Sequence, residues 1–237
     1  MKVAYRSNKG LIRKSNEDSL IVATPKLFAI ADGMGGHLAG DVASYETIHI
    51  LGKTDFSNIA NGKIKEAIIG RIKEINCRIS ELAHNNSELK GMGTTLSLVY
   101  MVDENKAIVA HVGDSRIYFL NNTGLKQLTI DHSFVSELVK KHRITKKEAE
   151  NHPQKNILMR AVGGDDRIQV DCFEVLLNGV KKIILCSDGL SDMIGFECIE
   201  KNLLLDDIEI IANTLMKKAL DAGGRDNISF IIIDLEE

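Results

Sequence analysis

The 237-residue sequence lacks a long apolar run, a closely spaced cysteine pair and a block of like charges. Its longest apolar stretches, such as Ile183–Cys186 and Phe230–Ile233, have the length of a core strand, whereas a membrane helix needs about 20 residues. The polar segment Met1–Gly10 has no signal-peptide pattern. The four cysteines are far apart, which indicates a reducing compartment, and we expect Cys77 and Cys186 to be buried. The sequence therefore predicts a cytoplasmic protein without a membrane segment.

The balance of charge excludes a second group of functions. The formal net charge of −3 gives no general field that would attract nucleic acid or an acidic membrane. No repeat and no low-complexity linker divides the chain, and its length is near the upper limit for one hydrophobic core. We therefore predict one domain over residues 1–237 and, by default, a monomer.

Short strand-like runs occur at both ends of the chain. They are rich in Ile, Val, Leu and Tyr and are bounded by Gly, Asn and Asp. Because they come in consecutive blocks and do not alternate strictly with helices, they favour an α+β fold with antiparallel sheets and outer helices. The predicted strands are Val3–Ser7, Leu20–Thr24, Leu27–Ala31, Thr94–Val102, Ala107–Val112, Arg116–Leu120, Ile168–Val175, Lys182–Ser187 and Ile228–Asp234.

Three longer segments have helical features. Isoleucines recur at steps of three and four from Ile64 to Ile79, which predicts one amphipathic helix. Two further helices are predicted over Ala39–Leu51 and Asp207–Ala222. The polar segment 131–164 contains two short helix-like pieces, one with a capping box from Thr145 to Glu148, and is predicted to be an excursion from the core.

Four aspartates occupy similar positions along the chain. Asp32, Asp114 and Asp188 each follow an apolar run, and Asp226 stands just before one. One Asp–Gly after a strand is an ordinary turn signal. Several such strand ends, however, can bring anionic groups to one edge, which only bound cations make tolerable. Because oxygen ligands favour Mg²⁺ or Mn²⁺ over zinc, the sequence predicts a site for these ions.

Two neighbouring stretches add candidate ligands. Glycines follow the first aspartate in Asp32–His37, and glycine lets the backbone approach a ligand, so the Gly33 carbonyl is a candidate metal ligand. The glycine spacing does not fit a nucleotide-binding loop. Near the N-terminus, Arg13 precedes Glu17 and Asp18 and supplies the guanidinium type that binds phosphate in bidentate fashion.

In their order along the chain, these pieces resemble the metal-dependent protein phosphatases of the PPM or 2C family, in the bacterial single-domain form. The resemblance implies a β-sandwich of two antiparallel sheets with antiparallel helices on both outer faces. It also implies hydrolysis of phosphoserine and phosphothreonine in proteins by a water between two Mn²⁺ or Mg²⁺ ions. The matching stretches span nearly the whole chain: Arg13–Asp18, Asp32–His37, Gly91–Thr95, Gly113–Arg116, Asp131–Ser133, Asn156–Gly163, Ser187–Leu190 and Gly224–Asn227.

The resemblance implies a role for each acidic position. Asp32 would bridge the two metals, and Asp188 and Asp226 would complete the first site. Glu17, partly through water, and the Gly33 carbonyl would complete the second site.

Further roles follow from the same resemblance. Asp18 would orient metal-bound water, and Asp114 with Asp188 would hold a third, weaker ion. Arg13 would bind the substrate phosphate, and segment 131–164 would be the flap that shapes substrate choice.

The sequence departs from the eukaryotic pattern at one position. Many eukaryotic members have a histidine directly after the bridging Asp–Gly, whereas this chain has Met34. His37 is typical of the bacterial form and is the candidate general acid, with metal-bound water as the alternative.

Other functions stay open on the sequence alone. The enzyme could act on phosphorylated anti-sigma-antagonist partners, the chain could be a silent phosphoprotein-binding module, or it could be a metal-binding hydrolase of another type. The expected partners are phosphorylated proteins, including a Ser/Thr kinase and its substrates.

Overall fold

The computed structural model describes residues 1–35, 39–165 and 167–236, which form eleven strands and six α-helices. The strands are β1 (Lys2–Asn8), β2 (Asp18–Ala23), β3 (Leu27–Met34), β4 (Gly93–Thr94), β5 (Leu96–Met101), β6 (Lys106–Val112), β7 (Arg116–Asn121), β8 (Gly124–Gln127), β9 (Asp171–Leu176), β10 (Val180–Cys186) and β11 (Ile228–Asp234). The helices are α1 (Ala39–Gly52), α2 (Ile64–Asn85), α3 (Phe134–Lys140), α4 (Lys146–Glu150), α5 (Asp188–Leu203) and α6 (Ile208–Asp221). None of the helices in the described ranges combines the length and the apolar character that a membrane span requires.

The strands form two antiparallel sheets, as predicted. The first sheet has the order β1-β11-β10-β7-β8, and the second has the order β2-β3-β5-β6-β9 with β4 paired to β3. Every strand pair in both sheets is antiparallel. The link from β6 to β7 crosses from the second sheet to the first.

Three apolar clusters separate four layers. Side chains such as Phe28 and Ile231 pack between the sheets. Ile72 of α2 belongs to the cluster on the outer face of the second sheet, and Leu215 of α6 to the one on the first. Central strands are therefore covered on both faces, which explains their continuous apolar runs. The predicted α-β-β-α arrangement is confirmed.

The helix predictions were right where the apolar spacing was regular. The isoleucine stripe of α2 is buried from Ile64 to Ile79. Helix α5 was not predicted, because its Asp188-Gly-Leu start resembles a turn and its apolar pattern is interrupted. Gly195, with φ 73° and ψ 167°, divides α5 into two helical pieces, which removes the regular spacing expected of one helix.

Several strand boundaries and one burial prediction were wrong. The predicted strand Thr94–Val102 is split into β4 and β5, and the strand predicted from Ile168 begins at Asp171. The short strand β8 was not predicted. Cys77 is exposed on α2, whereas Cys186 is buried as expected.

The segment 131–164 contains the two predicted short helices. Ser133 caps α3, and the predicted capping box of Thr145 and Glu148 is present at the start of α4. Isolated bridges pair Ser133 with Leu158 and Val162 with Thr94. The second bridge connects the end of the segment to β4.

Candidate functional site

Five aspartates surround one end of the sandwich. Asp18 begins β2 and is directly opposite Asp32 of β3 in the second sheet. Asp188 begins α5 directly after Ser187 and β10, and Asp226 precedes β11 in the first sheet. Asp114 lies in the turn between β6 and β7. Burial raises the pKa of Asp32, and the charges of the other four add to this rise, as expected for sequence-predicted aspartates that lie at one end of the sandwich.

A hydrogen bond joins the two sheets at this end. Ser187 Oγ donates to Asp18 Oδ2 at 2.9 Å, and the backbone N–H of Ser229 donates to Ser187 Oγ at 3.0 Å. Ser187 is fully buried. This serine therefore connects a carboxylate of the second sheet to the backbone of the first.

The backbone of Asp32 is held by two threonines. Asp32 N–H donates to Thr95 Oγ1, while Thr95 N–H and Thr94 Oγ1 both donate to the Asp32 carbonyl, each at 2.9 Å. Asp32 was predicted to follow its strand, but β3 continues to Met34 because β4 pairs with its end. The side chain of Asp32 thus projects from a fixed strand.

Close backbone contacts explain two glycines beside Asp32. A Cβ on Gly33 would overlap the Gly40 carbonyl oxygen, and a Cβ on Gly40 would overlap the Glu17 carboxylate. Gly33 N–H also donates to the Glu17 carbonyl at 3.0 Å. The Glu17 carboxylate therefore lies against the start of α1, near the Gly33 backbone.

Asn227 fixes the N-terminal loop that carries Arg13 and Glu17. Its Oδ1 accepts a hydrogen bond from Glu17 N–H at 2.8 Å, and its Nδ2 donates to the Lys9 and Ser15 carbonyls at 3.0 and 2.9 Å. Asn227 is only 4% exposed. It thereby holds the loop against the strand that follows Asp226.

The crowding of carboxylates perturbs their titration. Burial raises the pKa of Asp18 to about 6, with a further contribution from the charge of Asp226, although serine hydrogen bonds oppose the rise. Burial, then Asp131, raises the pKa of Asp114 to about 6. Burial and neighbouring aspartates raise the pKa values of Asp32 and Asp188 well above their usual range. Without a cation, these groups therefore keep their protons to a higher pH than an exposed aspartate does.

Arg13 lies at the rim of this acidic cluster. Its Nη2 donates to Asp226 Oδ2 at 2.8 Å, and about half of its side chain is exposed (52%). Burial lowers the Arg13 pKa, but Asp226, Glu17 and Asp32 outweigh this effect and the pKa is raised. Burial raises the pKa of Glu17 despite the Ser15 hydrogen bond. Arg13 is thus a permanently charged group that solvent and an anionic ligand can reach.

A network of ion pairs lies beside Asp114. Arg116 donates through Nε and Nη2 to Asp131 Oδ2 at 2.9 and 2.8 Å, and its Nη1 is 3.5 Å from Asp192 Oδ1. Lys155 Nζ is 2.8 Å from Asp192 Oδ2. Because Lys155 belongs to the segment 131–164, this pair connects that segment to α5.

The residues at this end of the sandwich fit a divalent cation site. Their donors are oxygen atoms, which suits Mg²⁺ or Mn²⁺, and the buried Asp18 Oδ1 has no hydrogen-bond partner among the described residues. As the side chains stand in the described ranges, no three His, Cys, Asp or Glu residues form a group that could hold a metal ion. Repulsion between like charges and the Arg13–Asp226 pair are consistent with this separation.

The site contains most of the predicted residues and some that the sequence did not indicate. His37, the predicted general acid, lies outside the described residues. Ser187, Asn227 and Thr95 were within the matched stretches, but their supporting roles were not predicted. A signal was available for two of them, because Ser187 is adjacent to Asp188 and Asn227 is adjacent to Asp226. Polar residues directly beside a candidate ligand are candidates for such supporting roles.

The fold and the acidic cluster define a class of metal-binding β-sandwich proteins, and comparison with known families identifies the class. Residues 14–221 match the protein phosphatase 2C family. The chain therefore belongs to the protein phosphatase 2C family and is a protein phosphatase. The resemblance drawn from the motifs is confirmed.

Known proteins are similar to this chain over nearly its full length. The serine/threonine phosphatase stp of Listeria welshimeri is 38% identical over 242 residues, which cover 99% of this chain and 96% of that protein. The structure of serine/threonine phosphatase Stp1 from Staphylococcus aureus has a TM-score of 0.94 and 37% identity, covering 100% of this chain and 95% of that one. The catalytic domain of PstP in complex with two manganese ions has a TM-score of 0.88 and 35% identity, covering 98% and 97%.

Proposed function

We propose that the chain is a serine/threonine protein phosphatase that requires two divalent metal ions. One observation carries this proposal: acidic side chains distant in the sequence lie together at the junction of the two sheets, and an accessible arginine stands at their rim. The names of the similar phosphatases and the two manganese ions in the PstP structure support the same function.

The proposed ligands follow the family resemblance. Asp32 would bridge both ions, Asp188 and Asp226 would complete the first site, and Glu17 with the Gly33 carbonyl would complete the second. The close approach of Glu17 to the Gly33 backbone supports the pairing in the second site.

Three further assignments belong to the proposal. Asp18, held by Ser187, would orient a water from just outside the metal ligands. Asp114 and Asp188 would hold a third, weaker ion, which agrees with the contribution that the Asp114 charge makes, after burial, to the raised pKa of Asp188. His37 stays a prediction for the general acid.

The residues of the chain have separate tasks in phosphate hydrolysis. When bound, two divalent cations would supply the positive charge that lowers the pKa of a water and offsets charge on the phosphoryl oxygens. Arg13 presents a fixed cation to the phosphate and can exchange its contact with Asp226 for the substrate. Hydrogen bonds from the threonines fix the backbone of Asp32, and those from Asn227 fix the N-terminal loop on the other side of the site. The aspartates therefore act as ligands, and no protein nucleophile is needed.

The cellular setting is proposed from the same resemblance. We place the enzyme in the bacterial cytoplasm, where free cysteines persist, and assign it the reversal of phosphorylation by a Ser/Thr kinase. Mn²⁺ or Mg²⁺ would serve, and the enzyme would be a monomer with one domain. The segment 131–164 would be a flap that influences substrate choice.

Substitution of Asp32 tests the proposal directly. Asp32→Ala should abolish Mn²⁺-dependent hydrolysis of p-nitrophenyl phosphate and of a phosphothreonine peptide, while the circular dichroism spectrum stays that of the parent protein. Exposed Asp206, in the turn between α5 and α6, provides the matched control Asp206→Ala, which should keep full activity. Full activity of Asp32→Ala, or equal activity of the parent with Mn²⁺ and with chelator, would refute the assignment.

A further inference from the structure

His132, in the Asp131-His-Ser133 stretch, has no role assigned so far, yet it is buried beside the turn that carries Asp114. His132 is 7% exposed. Its backbone N–H donates to the Gly113 carbonyl at 2.7 Å, and its ring Nδ1 accepts a hydrogen bond from Gly113 N–H at 3.1 Å. Both backbone polar groups of the residue before Asp114 are thus bound by His132.

The hydrogen bonds of His132 determine which ring nitrogen carries the proton. Because a backbone N–H can only donate, Nδ1 is unprotonated and the neutral ring carries its proton on Nε2. Nε2 is 3.2 Å from Asp171 Oδ2, so Nε2–H donates to that carboxylate. Arg160 Nη1 donates to the other oxygen, Asp171 Oδ1, at 2.8 Å and is 3.2 Å from His132 Nε2. Asp171 therefore receives two donors and selects the Nε2–H tautomer.

Ser97 holds the other side of the same turn, and its own partner is a second histidine in the opposite tautomer. Ser97 Oγ donates to the Ser115 carbonyl at 2.8 Å, so it must accept from His111 Nδ1–H at 3.0 Å. The centroids of the His111 and His132 rings are 4.7 Å apart. The residues before and after Asp114 are therefore both fixed by buried hydrogen bonds.

The turn is also connected to the backbone of Asp32. Ser115 Oγ is 2.6 Å from Thr95 Oγ1, which accepts the Asp32 N–H. A Cβ on Gly113, whose φ is +107°, would be 2.6 Å from Thr95 Cγ2. Gly113 is thus enclosed between Thr95 and His132, and a change of its peptide orientation would displace the next residue, Asp114.

We propose that His132, held in its Nε2–H tautomer by Asp171, is a positioning residue for the Asp114 carboxylate. The inference rests on the proposed function, in which Asp114 and Asp188 hold the weaker third ion. Loss of the Nδ1 acceptor would leave Gly113 N–H without a partner and move Asp114 relative to Asp188. The ions at Asp32 would be affected less, because the threonine bonds to Asp32 remain.

Two substitutions separate the functions of the ring nitrogens. In His132→Asn, the amide oxygen replaces Nδ1 as the acceptor for Gly113 N–H, whereas in His132→Gln the amide nitrogen replaces only Nε2. The probe is Mn²⁺ alone, titrated calorimetrically into chelator-treated protein. His132→Gln should weaken the weakest Mn²⁺ site about tenfold or more, as loss of a supporting hydrogen bond typically does, and His132→Asn should stay close to the parent. Equal affinities for parent and His132→Gln would overturn the inference.

A double-mutant cycle with Asp114→Asn distinguishes positioning from a general structural effect. If His132 acts through Asp114, His132→Gln should cause no further loss of Mn²⁺ affinity when Asp114→Asn is already present. Independent, additive losses would contradict the inference. A parent protein that neither binds Mn²⁺ nor hydrolyses phosphothreonine would instead defeat the proposed function itself.

A third variant is informative even where His132→Gln does not fold. Asp171 is 44% exposed in its side chain, so Asp171→Ala leaves the core intact. Nitrogen-15 NMR of the histidine rings should show the Nε2–H tautomer of His132 in the parent protein and a mixture in Asp171→Ala, with weaker binding at the weakest Mn²⁺ site. An Nδ1–H tautomer in the parent, or unchanged binding in a variant that shows the mixture, would overturn the inference.

Discussion

Replacement of Asp18 by asparagine should stabilise the metal-free protein at alkaline pH, although it alters the proposed site. Asp18 is 8% exposed, and its Oδ1 has no hydrogen-bond partner among the described residues. Burial raises its pKa to about 6. Asparagine has nearly the same shape, keeps an acceptor for Ser187 Oγ and carries no charge. The substitution therefore removes a buried charge while most of the packing is preserved.

The raised pKa fixes the sign and size of the effect. A carboxyl group with a pKa of about 6 in the folded chain and about 3.9 in the unfolded chain binds more protons when folded. Its contribution to stability is present below pH about 4 and is lost as the pH rises through about 6. At 1.36 kcal/mol per pKa unit, ionised Asp18 costs about 3 kcal/mol at pH 8. At pH 5, where the folded group is mostly protonated, the cost is about 1.5 kcal/mol.

Urea unfolding of chelator-treated protein at pH 8 and pH 5 measures this difference. Asp18→Asn should gain about 3 kcal/mol at pH 8 and about half of that at pH 5, while its Mn²⁺-dependent activity falls. Asp206→Asn, at an exposed position, should change neither value. A loss of stability at pH 8, or an equal gain at both pH values, would show that the buried charge is not the cause.

Three further predictions concern the metal, the arginine and the attachment of the segment 131–164. Mn²⁺ should raise the melting temperature more at pH 8 than at pH 5, because carboxyl groups with raised pKa values are largely protonated at pH 5; scanning fluorimetry with equal shifts at both pH values would contradict this. Arg13→Lys should raise KM for a phosphothreonine peptide about tenfold, because lysine keeps the charge beside Asp226 but lacks the planar fork. Steady-state kinetics with an unchanged KM would exclude a bidentate phosphate contact. Asn76→Ala should cost about 2–3 kcal/mol in urea unfolding, since this buried amide accepts Gly163 N–H at 2.7 Å and donates to the Asp165 carbonyl at 2.8 Å. A cost below about 0.5 kcal/mol would mean that water replaces these bonds.

The fold could be predicted from the sequence where apolar residues recur with one regular spacing over a whole helix or strand. The isoleucines of α2 recur along one face for its full length, so their helical spacing is visible without tertiary information. In α5 the spacing is broken at Gly195, and the opening Asp188-Gly189 is equally compatible with a turn. Packing of Leu190 and Ile199 against the first sheet stabilises this helix, and such contacts are not encoded in local periodicity.

The aspartates of the site could be predicted because strand ends and acidic residues are both visible in the sequence. The residues that support these aspartates could not be predicted, because each one contacts a residue that is far away in the sequence. Ser187 and Asp18 are 169 residues apart, and Asn227 and Glu17 are 210 residues apart. A serine after a strand or an asparagine before one has many ordinary explanations, and only the juxtaposition of the sheets gives these two their tasks.

The same juxtaposition links metal binding to the stability of the sandwich. Asp18 and Asp32 belong to the second sheet, whereas Asp188 and Asp226 flank strands of the first. Burial of these carboxyl groups and their mutual repulsion oppose close approach of the sheet ends, and the raised pKa values of Asp32 and Asp188 express both costs. A cation bound between them would reverse the sign of the interaction, because each carboxylate would then attract a shared charge instead of repelling its neighbour. Metal binding would relieve this repulsion and is favoured by it. The aspartates that destabilise the metal-free fold are therefore the residues on which tight metal binding depends.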